Sequence, residues 1–189
     1  MTKVTRHFDQ SDIKRLLALI GTNWSWLGSE WPMTNNLMEP PVFVASEASD
    51  LSLNAVQEYF DVDGDEVSVS SVCISGAGSE LEKAQKNGNV YFQGKGEKIR
   101  EALVVRETMR ATFQIVPFFE AEIDFGVVFV LENSVIGISK RGFHGEDFMI
   151  SRASSIEELK FFDSAIEWSA TLMTQYEFGR KLINVSELL

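Results

Sequence analysis

The chain has 189 residues, 44% of them hydrophobic and 11% aromatic, and a formal net charge of −11. This composition predicts one folded domain over residues 1–189, because disordered chains have too few apolar residues to offset the entropy of ordering. Without a run of ~20 apolar residues, an apolar signal-peptide core or a second cysteine, we expect a cytoplasmic protein that has no disulfide and binds neither membranes nor nucleic acids.

In the first half of the chain, apolar spacing and capping residues predict short elements joined by loops. Spacing of three and four residues predicts helices, and alternation predicts strands. A slip in the alternation at Ser70 and Ser71 indicates a β-bulge. The predicted elements are a helix over 12–20 with Asp9 or Ser11 as its N-cap, an ordered loop over 23–41, a strand over 42–45, a helix over 53–60, a strand over 67–74, a helix over 79–88 and a strand over 89–92.

In the second half, the segment 95–116 fits a helix or a strand, and we favour a helix followed by a strand. Alternation predicts an antiparallel meander over 118–131, 135–139 and 148–151. A capping box at Ser155 and an apolar stripe up to Tyr176 then predict a long C-terminal helix. The predicted fold class is therefore α+β, a single domain with a mostly antiparallel sheet packed against that helix.

The negative charge is concentrated in one part of the chain. From Leu16 to Glu82 there are 11 acidic residues and no lysine or arginine, whereas acids and bases balance elsewhere. If these acids form one face, that face repels phosphate and attracts a basic partner. Acids scattered over the fold would serve solubility only, and the sequence leaves both arrangements open.

Three tryptophans lie at the start of this acidic window. Tryptophan is enriched among the residues that dominate binding energy at interfaces, although the indoles could equally fill the core. We therefore predict a non-enzymatic binding module, of the inhibitor, immunity-protein or adaptor type, for a basic protein partner. The residues predicted to bind this partner are Trp24, Trp26, Trp31, Glu30, Asp61, Asp63, Asp65 and Glu66.

Two other functions remain open. The tryptophan loop could close a pocket for a small ligand, as in a sensor domain. An acid–base enzyme could instead use carboxylates that alternate along one strand together with a histidine in a glycine-flanked turn. These residues are Glu120, Glu122, Asp124 and His144. No motif predicts a nucleophile, a cofactor or a metal site, so a non-enzyme is the favoured interpretation.

The oligomeric state also stays open at this point. The predicted C-terminal helix carries an apolar stripe wide enough to form a homodimer interface. The same stripe would serve equally well as part of a monomer core, because burying it against a sheet needs the same residues. A homodimer is therefore compatible with the sequence but is not required by it.

Overall fold

A computed structural model describes residues 1–62, 64–94, 96–168, 171 and 173–189. The helices in this part of the chain are α1 (Gln10–Leu19) and α2 (Glu80–Lys86). The strands are β1 (Thr2–Arg6), β2 (Trp24–Ser29), β3 (Leu37–Met38), β4 (Val42–Ser46), β5 (Asp50–Val62), β6 (Asp65–Gly76), β7 (Val90–Tyr91), β8 (Ile99–Phe113), β9 (Val116–Leu131), β10 (Val135–Lys140), β11 (Phe148–Ala153) and β12 (Thr174–Asn184). Short 3₁₀ turns cover Ile156–Glu158, Ser164–Glu167 and Val185–Leu188.

The strands form two sheets. A seven-stranded sheet has the order β12-β8-β9-β10-β11-β3, and β1 adds to it in parallel along the first half of β9. A five-stranded sheet has the order β6-β5-β4-β2-β7. Apolar residues from both sheets and from α1 pack into one core cluster, so the two sheets face each other over a shared core.

The long β5–β6 hairpin contacts both faces of the seven-stranded sheet. Near its base, Leu53 packs in the core between the sheets, whereas Val69, nearer the tip, packs in a second core on the opposite face. The hairpin passes from one face of the sheet to the other beside β9, and we call this point the crossing. There Arg6, at the end of β1, forms an ion pair with Glu58 of β5, and the Ser70 amide of β6 donates to the Phe143 carbonyl at 2.8 Å. The face that is buried therefore changes within the hairpin.

This crossing explains two errors of the sequence-based prediction. The alternation slips at Ser70 and Ser71 because opposite faces of β6 are buried on either side of the crossing; the register with β5 is continuous, so the predicted bulge was wrong. The helix predicted over 53–60 was also wrong, because these residues lie in β5. Before the crossing the apolar side chains of β5 that pack in a core are on odd-numbered residues such as Leu53, and after it they are on even-numbered residues such as Phe60. This change produced a spacing that resembles that of a helix.

The predicted α+β fold with a long C-terminal helix was wrong, because the described residues form mostly antiparallel strands with two short helices. The predicted helix contains two 3₁₀ turns and the start of β12; residues 169, 170 and 172 lie outside the described part. Leu159, Phe161 and Trp168 cover the outer face of the seven-stranded sheet, which is the face turned away from the five-stranded sheet. This face is apolar, so it has to be shielded from water by another segment of the chain. From Tyr176 onward, β12 pairs with β8.

Several predicted elements are confirmed. Helix α1 begins at the predicted N-cap Asp9, whose carboxylate accepts from two backbone amides, and β4, α2, β7 and the meander β9-β10-β11 lie where expected. The predicted loop 23–41 instead contains β2 and β3, and the segment 95–116 contains the long strand β8 rather than a helix. Strand pairing within a sheet, which alternation alone does not reveal, decided both cases.

Gly126 in β9 gives the first testable prediction. A Cβ at this position would overlap the backbone carbonyl of Ile138 on the neighbouring strand β10. Gly126→Ala should therefore lower the free energy of unfolding by about 1 to 3 kcal/mol, measured by denaturant unfolding. Gly76→Ala is the matched control, since the nearest atom to a Cβ there is Arg15 Nη1 at 3.8 Å. An equal loss in both variants would contradict the steric explanation.

Candidate functional site

The three tryptophans do not lie together. Trp24 is 2% exposed in the core between the sheets, where its indole donates to the Phe92 carbonyl at 2.8 Å. Trp26 is 8% exposed and packs in a separate small core beside α2. A register shift between Trp24 and Trp26 in the β2–β4 pairing sends the two indoles into different cores. Of the three, Trp31 is the one at the surface, with 54% of its area exposed.

The predicted acidic residues separate into two groups. Glu30, next to Trp31, is within 3.4 Å of Lys83, so a cation from outside the acidic window compensates its charge. The second group lies exposed at the tip of the β5–β6 hairpin and comprises Asp61, Asp65 and Glu66. This tip extends about eight residues, or ~27 Å, beyond Leu53, which pairs with Val42 at the first residue of β4. Asp63 lies outside the described residues.

A groove of about 640 Å³ lies between the tips of the β5–β6 and β8–β9 hairpins and the start of β12. Most of its lining is apolar or aromatic, and the polar groups are few. The lining residues are Val62, Asp65, Val67, Ala111, Phe113, Gln114, Val116, Phe118, Phe119, Trp168, Thr174 and Tyr176. Sequence reasoning missed this groove because its walls come from four segments that are far apart along the chain.

The rim of this hairpin-tip groove is unusually apolar for a surface. At the β8–β9 turn, Ile115 is 92% exposed and Val116 is 63% exposed, and Phe113 beside them is also exposed. Gln114 and Ile115 both have positive φ, at 48° and 67°. Glycine or asparagine is preferred in such a turn, and a β-branched residue there is an outlier, so the fold gives up stability to present Ile115 to solvent.

The charge around the groove has one sign. Asp65 lines it, and Asp61 and Glu66 lie on the same hairpin tip. The Asp61 carboxylate accepts from the Gly64 amide at 3.0 Å, which holds the turn. Among the described residues, none of these three carboxylates forms an ion pair, and the groove lining contains no lysine or arginine. The groove therefore combines an apolar wall with uncompensated negative charge.

The alternating carboxylates of β9 contact basic side chains of neighbouring segments. Glu120 lies 2.9 Å from Lys3, and Glu122 lies 2.8 Å from His7. Asp124 is the buried member of the row and accepts hydrogen bonds from Arg106 of β8 at 2.6 and 3.0 Å. The Lys3 ammonium lowers the pKa of Glu120, mainly through a hydrogen bond. These contacts hold β1 and β8 against β9.

His144 lies on the other face of the seven-stranded sheet from Glu122. Its ring stacks on Trp168 at 4.7 Å, and its Nδ1 lies 2.8 Å from the Ser68 carbonyl. Trp168 in turn contacts Tyr176, which belongs to the outer core of the sheet. The predicted acid–base group of β9 carboxylates and His144 therefore does not converge on one cleft.

Lys140 is a buried cation that the sequence did not single out. It is 1% exposed beside the hairpin crossing, where its ammonium donates to the Ser70 carbonyl at 2.7 Å and lies 5.3 Å from the Phe125 ring centre. Burial lowers the pKa of Lys140 to about 7, although nearby carboxylates, foremost Glu167, raise it. Such a lysine can act as a base, but here it has no route to a substrate and instead holds the hairpin to the sheet.

The described part of the chain shows neither a metal-binding cluster nor a membrane-spanning helix. Within the described residues, no group of three or more His, Cys, Asp or Glu side chains is arranged to hold a metal ion. The helices of the same part of the chain are too short or too polar to cross a bilayer.

The chain was also compared with known proteins, and no protein-family model, curated protein or solved structure matches it.

Proposed function

We propose that this protein is a non-enzymatic binding module that holds a basic segment of a partner protein in the hairpin-tip groove. The observation that carries the proposal is an open apolar groove in which, among the described residues, the only charged lining residue is a carboxylate, Asp65. Exposed apolar surface rimmed by polar groups is typical of protein interaction sites. The partner class is the one predicted from the acidic window, which contributes Val62, Asp65 and Val67 to the groove lining.

The apolar part of the groove provides the binding energy. Phe113, Val116 and Tyr176 present aromatic and aliphatic surface that a side chain of the partner would remove from water. Burial of apolar area contributes roughly 25 cal/mol per Å², so one or two large side chains are enough for measurable affinity.

The acidic tip selects for positive charge. Asp61, Asp65 and Glu66 would attract lysine or arginine that flanks the apolar anchor and would repel acidic segments. These carboxylates are exposed, so their effect should weaken as salt screens them. Ile115, held in a disfavoured turn conformation, is the residue whose exposure the fold maintains at a cost.

The test uses a displayed library of random peptides selected on the purified protein. We expect enriched peptides that combine a large apolar residue with lysine or arginine, and affinity of the resynthesised peptides that falls as salt is raised. Val116→Asn should reduce this affinity by about tenfold or more, because it removes apolar area from the groove. Val56→Asn on β5 is the matched control, since Val56 is also exposed but does not line the groove.

A second variant tests the contribution of the acidic charges to peptide binding while side-chain size is kept. D61N/D65N/E66Q keeps side-chain size and leaves an amide oxygen to accept from the Gly64 amide, so the hairpin should fold as before. It should abolish the preference for basic peptides and flatten the salt dependence. Peptides without any basic residue, or binding unchanged by both groove variants, would refute the proposal.

A small-molecule ligand is the second candidate. The groove volume of about 640 Å³ falls within the range of ~300 to 1,000 Å³ that ligand pockets occupy. This function predicts that an apolar compound raises the melting temperature of the wild-type chain but not that of Val116→Asn. Binding of this kind should be nearly independent of salt, which distinguishes it from the basic peptide.

A further inference from the structure

Strand β12 forms an open edge of the seven-stranded sheet. It runs for 11 residues, Thr174–Asn184, and pairs along its full length with β8. Within the described part of the chain, no strand pairs with its other side. Such an edge presents unpaired backbone N–H and C=O groups, which readily accept a further strand.

The other long edge strand, β6, is covered. Its Ser70 amide donates to the Phe143 carbonyl at 2.8 Å, and its Ile74 amide donates to the Asp12 carboxylate at 3.2 Å. A loop and helix α1 therefore occupy the edge of the five-stranded sheet. Along β12, Thr171 covers the first residue, since the Thr174 amide donates to the Thr171 hydroxyl at 2.9 Å and the Thr174 carbonyl accepts from the Thr171 amide at 2.9 Å. No comparable cover appears from Gln175 to Asn184 among the described residues, so the two long edges differ in their availability for pairing.

We propose that two copies of this chain form a two-fold symmetric dimer by antiparallel pairing of their β12 strands, with the axis at Gly179. The strand reads TQYEFGRKLIN, and Gly179 is its central residue. With the axis there, the two strands pair from Gln175 to Ile183, and the seven-stranded sheets join into one continuous sheet. The interface is isologous, so each contact occurs twice.

Charge complementarity selects this register. Glu177 of each copy lies opposite Lys181 of the other copy, so two oppositely charged pairs form across the axis. Both residues are exposed and lie on the same face of β12, since their positions differ by four. Within one chain, Lys181 Nζ is 3.9 Å from Glu122, an exposed and long contact that leaves the ammonium available.

The opposite face of β12 is complementary in its apolar residues. Tyr176 of one copy lies opposite Leu182 of the other, and both side chains are half-buried against the outer core of the sheet. Pairing would extend this core across the axis and remove more of both side chains from water. Gly179 places no side chain at the axis, where each copy would otherwise meet its own equivalent.

The first experiment measures self-association by sedimentation of the full chain and of charge variants. We expect a wild-type dimer, and E177K and K181E should each weaken it by about tenfold or more, because every like-charge pair occurs twice. The double variant E177K/K181E exchanges the two charges and restores opposite pairs, so it should dimerise as the wild type does. Recovery in the double variant also shows that the single variants fail through charge and not through misfolding.

The second experiment tests the register directly. E177C/K181C in a C73S background places two introduced thiols opposite each other across the axis, at a Cα separation of ~4.5 to 5.5 Å that suits a disulfide. Mild oxidation should yield a covalent dimer with two bridges. E177C alone in the same background is the control, since its thiols are four residues out of register and should not cross-link.

Three outcomes would overturn the proposal. The first is a wild-type chain that stays monomeric up to about 1 mM. The second is a dimer whose affinity is unaffected by E177K and K181E, which would place the interface elsewhere. The third is cross-linking of E177C alone with an efficiency equal to that of E177C/K181C, which would contradict the register.

Discussion

Asp124→Asn is expected to lower the free energy of unfolding by about 3 to 5 kcal/mol. Asp124 is 1% exposed and accepts hydrogen bonds from Arg106 Nε at 2.6 Å, Arg106 Nη2 at 3.0 Å and the Phe8 amide at 2.7 Å. Removing its charge leaves the Arg106 guanidinium buried without its principal counterion. Breaking one side of a buried ion pair is strongly destabilising, because the remaining charge keeps its desolvation cost. Denaturant unfolding followed by tryptophan fluorescence measures this loss.

Glu120→Gln is the matched control, on the same strand and the same face. Glu120 pairs with Lys3 at the surface, where their side chains are 41% and 63% exposed. Exposed pairs contribute little, so we expect a change within about 0.5 kcal/mol. In an Arg106→Met background, Asp124→Asn should cost clearly less than in the wild type, since no buried cation is left unpaired. Equal costs in the two backgrounds would disprove the explanation by charge.

Lys140→Met is expected to change how stability depends on pH. The pKa of Lys140 is about 7 in the folded chain, against 10.5 for an ordinary lysine. Between these values the unfolded chain binds more protons than the folded chain, so the free energy of unfolding rises with pH. Below pH 7 the cost of burying the charged form is fully present, and it is gone above about pH 10.5.

The methionine variant should lack this rise. Each pKa unit corresponds to about 1.4 kcal/mol, so the free energy of unfolding of the wild type should rise by several kcal/mol relative to that of Lys140→Met from neutral to alkaline pH. Unfolding curves recorded across this range measure it, with the exposed Lys181→Met as a control that should follow the wild-type slope. Parallel curves for Lys140→Met and the wild type would show that Lys140 does not titrate as described.

Asp124 and Lys140 hold together the segments that form the groove. Asp124 joins β9 to β8 and to the segment before α1, and Lys140 joins β10 to the β5–β6 hairpin at its crossing. The hairpin carries the acidic tip, and β9 carries one wall of the groove. The variants at both positions should therefore alter peptide binding only to the extent that they unfold the chain.

Local patterns in the sequence predicted a large share of the elements. The α1 helix follows from its cap at Asp9 and its apolar spacing, and the meander β9-β10-β11 follows from alternation between turn residues. In these segments one face is buried against one core, so the period of the apolar residues reports the backbone conformation. The concentration of acidic residues between Leu16 and Glu82 was also evident from the sequence.

Several of the failures share one physical cause, which is burial on more than one side. The β5–β6 hairpin buries opposite faces before and after its crossing, and Trp24 and Trp26 enter different cores on either side of a register shift. The segment around Trp168 has helical spacing but wraps the outer face of a sheet. A period in the sequence cannot show which core each residue enters.

The amino-acid sequence by itself determined that this chain folds, that it is strongly acidic, and where α1 and the meander lie. Only the tertiary structure decided that two hairpin tips meet to form an apolar groove, that Asp61, Asp65 and Glu66 stand beside it, and that β12 is an open edge. The reason is that composition and local periodicity reflect neighbours along the chain, whereas a groove and a sheet edge depend on which distant segments pack together.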